Sequence, residues 1–111
     1  MFSIAEDGTI QLTRGDTARF SIGVINDITG FNYDVASDDT VTFTVKKKVT
    51  DKTPLLQKNV IGYTVIHIKP TDTQELSFGR YVYDVQITTV NGDVYTIIEP
   101  TSFILLTEVT Y

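Results

Sequence analysis

The alternation of side chains from Arg80 to Thr89 constrains the fold of this chain more than any other feature of its sequence. The apolar members of the series are Tyr81, Tyr83, Val85 and Ile87. Because successive side chains of a strand point to opposite faces, a period of two predicts a half-buried β-strand. Asn91-Gly92 comes directly afterwards and favours a two-residue type I′ turn, which sends the chain straight back as a hairpin.

This hairpin, Phe78–Ile98, is predicted to form the centre of the fold. Placing Val90 opposite Asp93 fixes the register of the two strands. The residue pairs then expected on the buried face are Val85 with Ile98, Ile87 with Thr96, and Thr89 with Val94. The same register turns Tyr95 and Ile97 away from the core, beside Val82 on the neighbouring strand. This apolar stripe is either covered by the terminal strand or is a contact surface.

Further strands are predicted on both sides of the hairpin. The segments are 2–5, 9–13, 18–25, 41–46, 55–58, 61–69 and 102–109. Segments 9–13 and 18–25 are expected to pair as a second hairpin with Arg14-Gly15-Asp16 at its tip, and segment 61–69, apolar on both faces, is expected to be central. The terminal strand near Phe103 is either covered on both faces or an edge that a partner covers.

The connections carry turn signals of several kinds. Asn26–Asp39 is a long polar loop, predicted to cross between sheets with Phe31, Tyr33 and Val35 as buried anchors. Asp72 with Glu75 resembles a capping box that starts one helical turn, which Leu76 would hold against the core. Asn59, Pro70 and Glu99-Pro100 are expected to end strands.

Composition restricts the class of protein. The 111 residues are 41% hydrophobic, which is enough for one domain, residues 1–111, with its own core. Cysteine is absent, which excludes disulfides and thiolate chemistry. A net charge of −5 argues against nucleic acid as a partner. The N-terminus does not resemble a signal peptide and no window resembles a membrane span, so we expect a cytoplasmic location without membrane insertion, unless the chain leaves by lysis or as part of a larger particle.

Eight or nine short strands with regular turns predict an all-β, two-sheet sandwich. The run LSFGRYVYDV resembles the corner that opens strand F in immunoglobulin-like domains, with Tyr81 as the corner tyrosine bonding back near Asp72 and Tyr83 in place of the usual cysteine, and this resemblance implies a sandwich of the immunoglobulin-like type. The segments RGDTARF, VTFTVKK, IKPTDTQELSFGRYVYDVQI and NGDVYTIIEPTSFILLTEVT together resemble the Ig-like sandwich of phage and prophage tail proteins, in particular the N-terminal domain of upper baseplate proteins. Without cysteine or tryptophan, the chain departs from antibody-type domains.

The resemblance implies a structural component of a phage tail or baseplate. Its partners would be other tail or baseplate proteins, with a possible homo-oligomer formed through the outer strand face near Tyr95 or the terminal strand near Phe103. The chain would then lie in the bacterial cytoplasm during assembly and afterwards in the virion. The alternative is a carbohydrate- or receptor-binding sandwich that uses Phe31 or Tyr33 in the long loop.

Candidate chemical sites are few, and each has a simpler structural interpretation. Arg14-Gly15-Asp16 is an integrin-binding tripeptide but also good turn chemistry. The carboxylates of Asp34, Asp38 and Asp39 are calcium-type ligands without the spacing of a calcium loop. His67 is the only histidine and lies on an alternating strand. We therefore expect no enzymatic activity, no catalytic or cofactor-binding residues, no metal site and no cofactor.

Overall fold

The protein is described here from a computed structural model that covers residues 1–23 and 35–107. Strands make up 53% of the described residues, and helix is limited to a single turn. The strands are β1 (Phe2–Ile4), β2 (Ile10–Thr13), β3 (Ala18–Ser21), β4 (Thr40–Lys46), β5 (Leu56–Ile61), β6 (Val65–Ile68), β7 (Gly79–Thr88) and β8 (Val94–Leu106), and the helical turn is α1 (Pro70–Thr73). The predicted all-β class is confirmed. Among the described residues, no helix has the length and apolar character needed to cross a membrane.

The strands form one large and one small sheet. The large sheet has the order β1-β2-β8-β7-β4-β5 and curls into a half-barrel, and the small sheet pairs β3 with β6. All pairs are antiparallel except β2 with β8, which run parallel. As predicted, the hairpin strand β7 is central, with β8 on one side and β4 on the other.

A single apolar core draws residues from both sheets. Val41, Phe43 and Val45 of β4 are fully buried, as their alternation predicts. The rings of Phe20 and Phe43 meet edge to face with centroids 5.6 Å apart, and Phe43 lies 5.3 Å from the ring of Tyr83. Aromatic contact of this kind joins the small sheet to the centre of the large one.

The turn between β7 and β8 differs from the predicted type I′ turn. The Thr89 amide donates to the Asp93 carbonyl and the Gly92 amide donates to the Thr89 carbonyl, so the loop has three residues. Gly92 has φ of +89°, whereas no described non-glycine residue has positive φ, which excludes the conformation predicted for Asn91. This geometry is a type I turn closed by a glycine bulge, and its extra residue shifts the register by one.

The shifted register changes which side chains share a face. Thr88 lies opposite Val94 and Ile87 lies opposite Tyr95, so both predicted pairs near the turn are wrong. An extra residue at Ile97 then restores the predicted pairing of Val85 with Ile98. Because of this bulge, Ile97 as well as Ile98 packs against the core, although Ile97 was predicted to face outward.

Pro100 does not end a strand as predicted. β8 continues through it to Leu106, with a second register shift between the pairs Val85–Ile98 and Tyr83–Thr101. Proline has no amide hydrogen and is tolerated in a sheet at a bulge, where the ladder is already interrupted. The predicted terminal strand is therefore the second half of one long strand. Its last predicted residues, 108 and 109, lie outside the described residues.

Two predicted strand arrangements around the small sheet are wrong. β2 and β3 do not pair as a hairpin, because β2 pairs with β1 and β8 while β3 pairs with β6. The predicted strand 61–69 is divided at Gly62, whose φ is +79°, and its second part becomes β6 in the small sheet instead of a central strand. Glycine permits this sharp change of direction at no steric cost.

The remaining predictions at connections are partly confirmed. The helical turn exists, but Asp72 is its third residue and accepts the Lys69 amide at 2.7 Å, so Lys69 and not Asp72 is the N-cap. Leu76 packs against the core as expected. Asn59 does not end a strand but lies inside β5. The segment 26–39 does connect strands of different sheets, β3 and β4, and Val35 packs against the core.

Candidate functional site

Strand β8 presents two different environments along its length. Residues 101–106, here the paired half, are hydrogen-bonded to β7 on one side and lie beside β2 on the other from Phe103 onward. Residues 94–100, here the open half, pair with β7 alone, and no described strand pairs with their other edge. A row of backbone donors and acceptors without a strand partner is what an added strand can complete.

The open half also exposes large side chains. Val94 is 54% exposed and Tyr95 is 58% exposed. Tyr95 lies opposite Ile87, so it shares the core-facing side of the sheet where the register had predicted the outer side. Val82, its predicted neighbour, lies opposite Ser102 instead. The predicted stripe of Tyr95, Ile97 and Val82 is therefore not formed, and the exposed apolar surface belongs to the end of the hairpin.

The paired half offers no comparable edge. Phe103 is 0% exposed, and strands lie on both sides of it. Docking through the terminal strand near Phe103 would require β2 to leave. The apolar run is not an edge, because β2 pairs with it, and it is not buried on both faces either, because Ile104 and Leu106 on the face opposite Phe103 remain partly exposed.

The Arg14-Gly15-Asp16 segment is built into the fold as a sheet-to-sheet corner. The Gly15 amide donates to the Thr73 hydroxyl at 2.9 Å, and the Arg14 guanidinium donates to the Leu76 carbonyl at 3.2 Å. The N-terminal ammonium bonds the Asp16 carboxylate. Gly15 has φ of +85°, which confirms the predicted need for glycine in this turn.

Asp39, at the end of the long loop, serves the backbone. Asp39 is only 2% exposed and accepts the Ala36 amide at 2.9 Å, as a turn-forming aspartate does. Asp34, Phe31 and Tyr33 lie outside the described residues. Within the described part of the chain, no group of three or more histidine and acidic side chains is placed to hold a metal ion.

His67 lies on the outward face of the small sheet among positive charges. Arg19 is its direct cross-strand partner, and Lys58 and Lys69 are close enough to act on it electrostatically. We call Arg19, Lys58, His67 and Lys69 the basic patch. Partial burial and then the three cations lower the pKa of His67 from its ordinary value, against a smaller opposite effect of Asp72. A histidine in this setting stays neutral at pH 7, so it is poorly placed to act as a general acid.

Asp72 supplies negative charge at the edge of the basic patch. Its carboxylate accepts the Lys58 ammonium at 2.7 Å as well as the Lys69 amide. Burial favours the neutral acid, but these two hydrogen bonds prevail and lower its pKa. Asp72 thus links β5 to the helical turn between β6 and β7. The sequence alone did not indicate the patch, although the i, i+2 spacing of His67 and Lys69 was a signal that they share a face.

Two tyrosine hydroxyls fasten the centre of the large sheet to its connections. The Tyr81 hydroxyl donates to the Ser77 carbonyl, four residues upstream, rather than to the backbone near Asp72 as predicted. The Tyr83 hydroxyl donates to the Gly8 carbonyl at 2.5 Å. Burial, with a smaller effect of the Asp7 charge, raises the pKa of Tyr83. Both rings are buried, so they support the fold and are not available for stacking on a ligand.

The outer face of the large sheet carries a shallow, open depression. Its lining is Thr44, Lys46, Val49, Val82, Tyr83, Asp84 and Pro100. Around it, side chains are already paired with each other, as between Thr42 and Asn59 at 2.8 Å and between Gln57 and Thr44 at 3.0 Å. The depression therefore offers little that resembles a built binding pocket.

Comparisons with known proteins do not assign a function to this chain, so its function is proposed from the surfaces described above. Scans against protein-family models, curated proteins and solved structures found no match to this chain.

Proposed function

We propose that this chain is a non-catalytic assembly module that works by binding other protein chains, as a structural component of a phage or prophage tail or baseplate. The proposal includes the fold type, a two-sheet Ig-like sandwich. The observation that carries the proposal is the open half of β8, which combines an edge without a strand partner among the described residues with the exposed side chains of Val94 and Tyr95.

Two features make the open half a suitable docking edge. It is continuous with the paired half, which β2 and β7 flank on both sides, so a partner strand would join an anchored element and lose little affinity to reorganisation. Its only charged side chain is Glu99, at the end next to Pro100. The rest of the edge lacks the lysines that commonly protect a free strand against pairing.

The Tyr81 contact supports the finer assignment. In Ig-like sandwiches a tyrosine near the start of strand F bonds to backbone a few residues upstream. Tyr81 lies near the start of β7, and its hydroxyl bonds the Ser77 carbonyl. Tyr83, two residues later, is buried in the core, as is the cysteine that follows the corner tyrosine by two residues in antibody-type domains.

Site-specific photocrosslinking tests the proposal. A benzophenone amino acid replaces Tyr95 in the chain expressed within an induced lysogen, and crosslinked partners are identified by mass spectrometry. We expect adducts with tail or baseplate proteins. Tyr63 provides the matched control, because it is also a tyrosine, 55% exposed, but lies outside the open half.

Two results would contradict the proposal. One is equal crosslinking from positions 95 and 63 to the same set of abundant proteins, which would show random encounters and not specific binding at the open half. The other is the absence of tail or baseplate proteins from the adducts of position 95, while the chain remains folded by circular dichroism.

A further inference from the structure

The basic patch lies on a surface whose geometry is set by the small sheet. Ala18 pairs with Ile68 and both are buried, so their neighbours Arg19 and His67 point to the opposite, outward face. Arg19 and His67 are directly opposite each other in the register. Lys69 follows His67 by two residues in extended backbone, which keeps it on the same side.

The charge of this surface is opposite to that of the whole chain. Arg19, Lys58 and Lys69 contribute three positive charges, and Asp72, bonded to Lys58, contributes one negative charge. The chain as a whole has a net charge of −5. Arg19 is exposed and makes no hydrogen bond or ion pair with the described residues. Concentrated positive charge on an acidic protein marks a place where an anionic group is favoured.

The small sheet also has a backbone edge beside the patch. β6 pairs with β3, and among the described residues no strand pairs with its other side. Backbone donors and acceptors along such an edge are matched by another polypeptide, not by a phosphate ion or a nucleic acid. The overall negative charge also disfavours a nucleic acid.

We propose that this face binds an acidic, extended segment of a partner protein, which adds to the free edge of β6 and directs alternate carboxylates at Arg19, His67 and Lys69. Same-face residues recur every second position in both strands, about 6.5–7 Å apart. An alternating acidic segment therefore matches the spacing of His67 and Lys69. This site is separate from the open half of β8 and does not depend on the origin of the chain in a phage.

A bound carboxylate changes the protonation of His67. The groups that act on His67 are Arg19 on β3, Lys58 on β5, Asp72 on α1 and Lys69 on its own chain segment. Partial burial and then the three cations lower the pKa of His67 in the free protein. Carboxylates from the partner oppose these cations, so binding takes up a proton and strengthens as the pH falls from about 7.5 to about 5.5.

NMR titration of the purified chain with synthetic peptides tests the proposal. The probe is a short peptide of alternating Glu and Val, and the comparison peptide alternates Lys and Val. We expect shifts of the β6 amides and of the Arg19, His67 and Lys69 amides with the acidic peptide alone. Free glutamate and inorganic phosphate serve as probes without a strand backbone, and we expect at least about tenfold weaker binding for them.

Charge-matched variants locate the binding. Arg19→Glu should weaken the acidic peptide by about tenfold, because it converts an attraction into a repulsion. Lys52→Glu is the control, since it changes the net charge equally at an exposed loop position outside the patch. His67→Asn should retain binding near pH 7.5 and lose the strengthening at lower pH.

Three outcomes of the titrations with added ligand would overturn the proposal. They are equal weakening by Arg19→Glu and Lys52→Glu, equal affinity for phosphate and the acidic peptide, and an acidic peptide that shifts none of the β6 amides. Concentration-dependent shifts of the patch without any peptide would assign it to a second copy of the chain, and this too would overturn the choice of a foreign segment.

Discussion

The two halves of β8 belong to one continuous strand, yet they have opposite roles. The paired half lies between β2 and β7 and contributes Phe103 and Leu105 to the core. The open half pairs with β7 alone and exposes Val94 and Tyr95. The two halves differ in their neighbours, because β2 begins with Ile10 opposite Phe103 and does not extend alongside the open half. The difference separates a stretch that holds the fold from one whose second edge has no strand partner among the described residues.

The largest expected effect comes from removing a ring in the paired half. Phe103→Ala takes away a fully buried side chain that contacts the rings of Phe43 and Tyr83. Such truncations lower the free energy of unfolding by about 3–5 kcal/mol, because the cavity collapses only in part. Urea unfolding measures the loss. If the free energy of unfolding fell by less than about 1 kcal/mol, the paired half would be packed no more tightly than the open half.

Tyr83 marks the boundary between the halves, since it lies opposite Thr101. Tyr83→Phe keeps the ring but leaves the Gly8 carbonyl without its hydroxyl donor, which should cost about 1–2 kcal/mol in urea unfolding. The hydroxyl also predicts a pH dependence, because the folded chain raises the pKa of Tyr83.

The sign of that dependence follows from linkage. The folded state holds the phenolic proton more tightly than the unfolded state does. The stabilisation is therefore complete below the ordinary tyrosine pKa of about 10 and is lost as the pH rises through the folded value. Tyr83→Phe should remove this contribution to alkaline destabilisation. An unchanged alkaline profile in the variant would assign the effect to other groups.

The two glycine-bulge turns give a further comparison. Gly8 and Gly92 have φ of +91° and +89° and the same pair of turn hydrogen bonds. A Cβ at Gly92 meets nothing within 4 Å, whereas a Cβ at Gly8 meets Tyr83 and Thr101 at 3.4 Å. Gly92→Ala should cost about 1 kcal/mol from backbone strain alone. Gly8→Ala should cost at least as much, and thermal unfolding of both variants compares them.

The smallest effect on stability is expected in the open half. Tyr95→Ser removes an exposed ring and should change the free energy of unfolding by no more than about 0.5 kcal/mol. We expect the same change to weaken docking of a partner strand, measured as reduced recovery of tail proteins with an affinity-tagged chain. A large loss of stability would show that Tyr95 supports the fold and would remove the basis for an interaction surface there.

Much of the fold was predictable where the pattern is local. The faces of β4 and β7, the burial of Tyr81 and Tyr83, and the glycine at position 15 all follow from alternation and turn chemistry. Strand partners were less predictable. The hairpin assigned to β2 and β3 failed because two neighbouring strands with a tight turn between them can also enter different sheets.

The candidate surfaces show the same limit. Tyr95 was predicted to lie on the outer face, either covered by the terminal strand or forming a contact surface. It is exposed but lies on the other face, because the register depends on a loop of three residues where Asn-Gly favoured two. The basic patch was not predicted, since Arg19 and Lys58 are far from His67 in sequence and meet it only across strands. The basic side chains come together only through the arrangement of the strands, which cannot be inferred from the sequence pattern.

By itself, the sequence determined the all-β class, the inward side chains of the main strands and most turn positions. These depend on steric preferences and on a period of two, which act between near neighbours along the chain. Only the tertiary structure decided that β2 lies beside one half of β8 and leaves the other half open, and that Arg19 shares a face with His67 and Lys69 while Lys58 comes near them. Backbone edges are chemically alike, so the choice among them rests on packing of the whole core and not on any local signal.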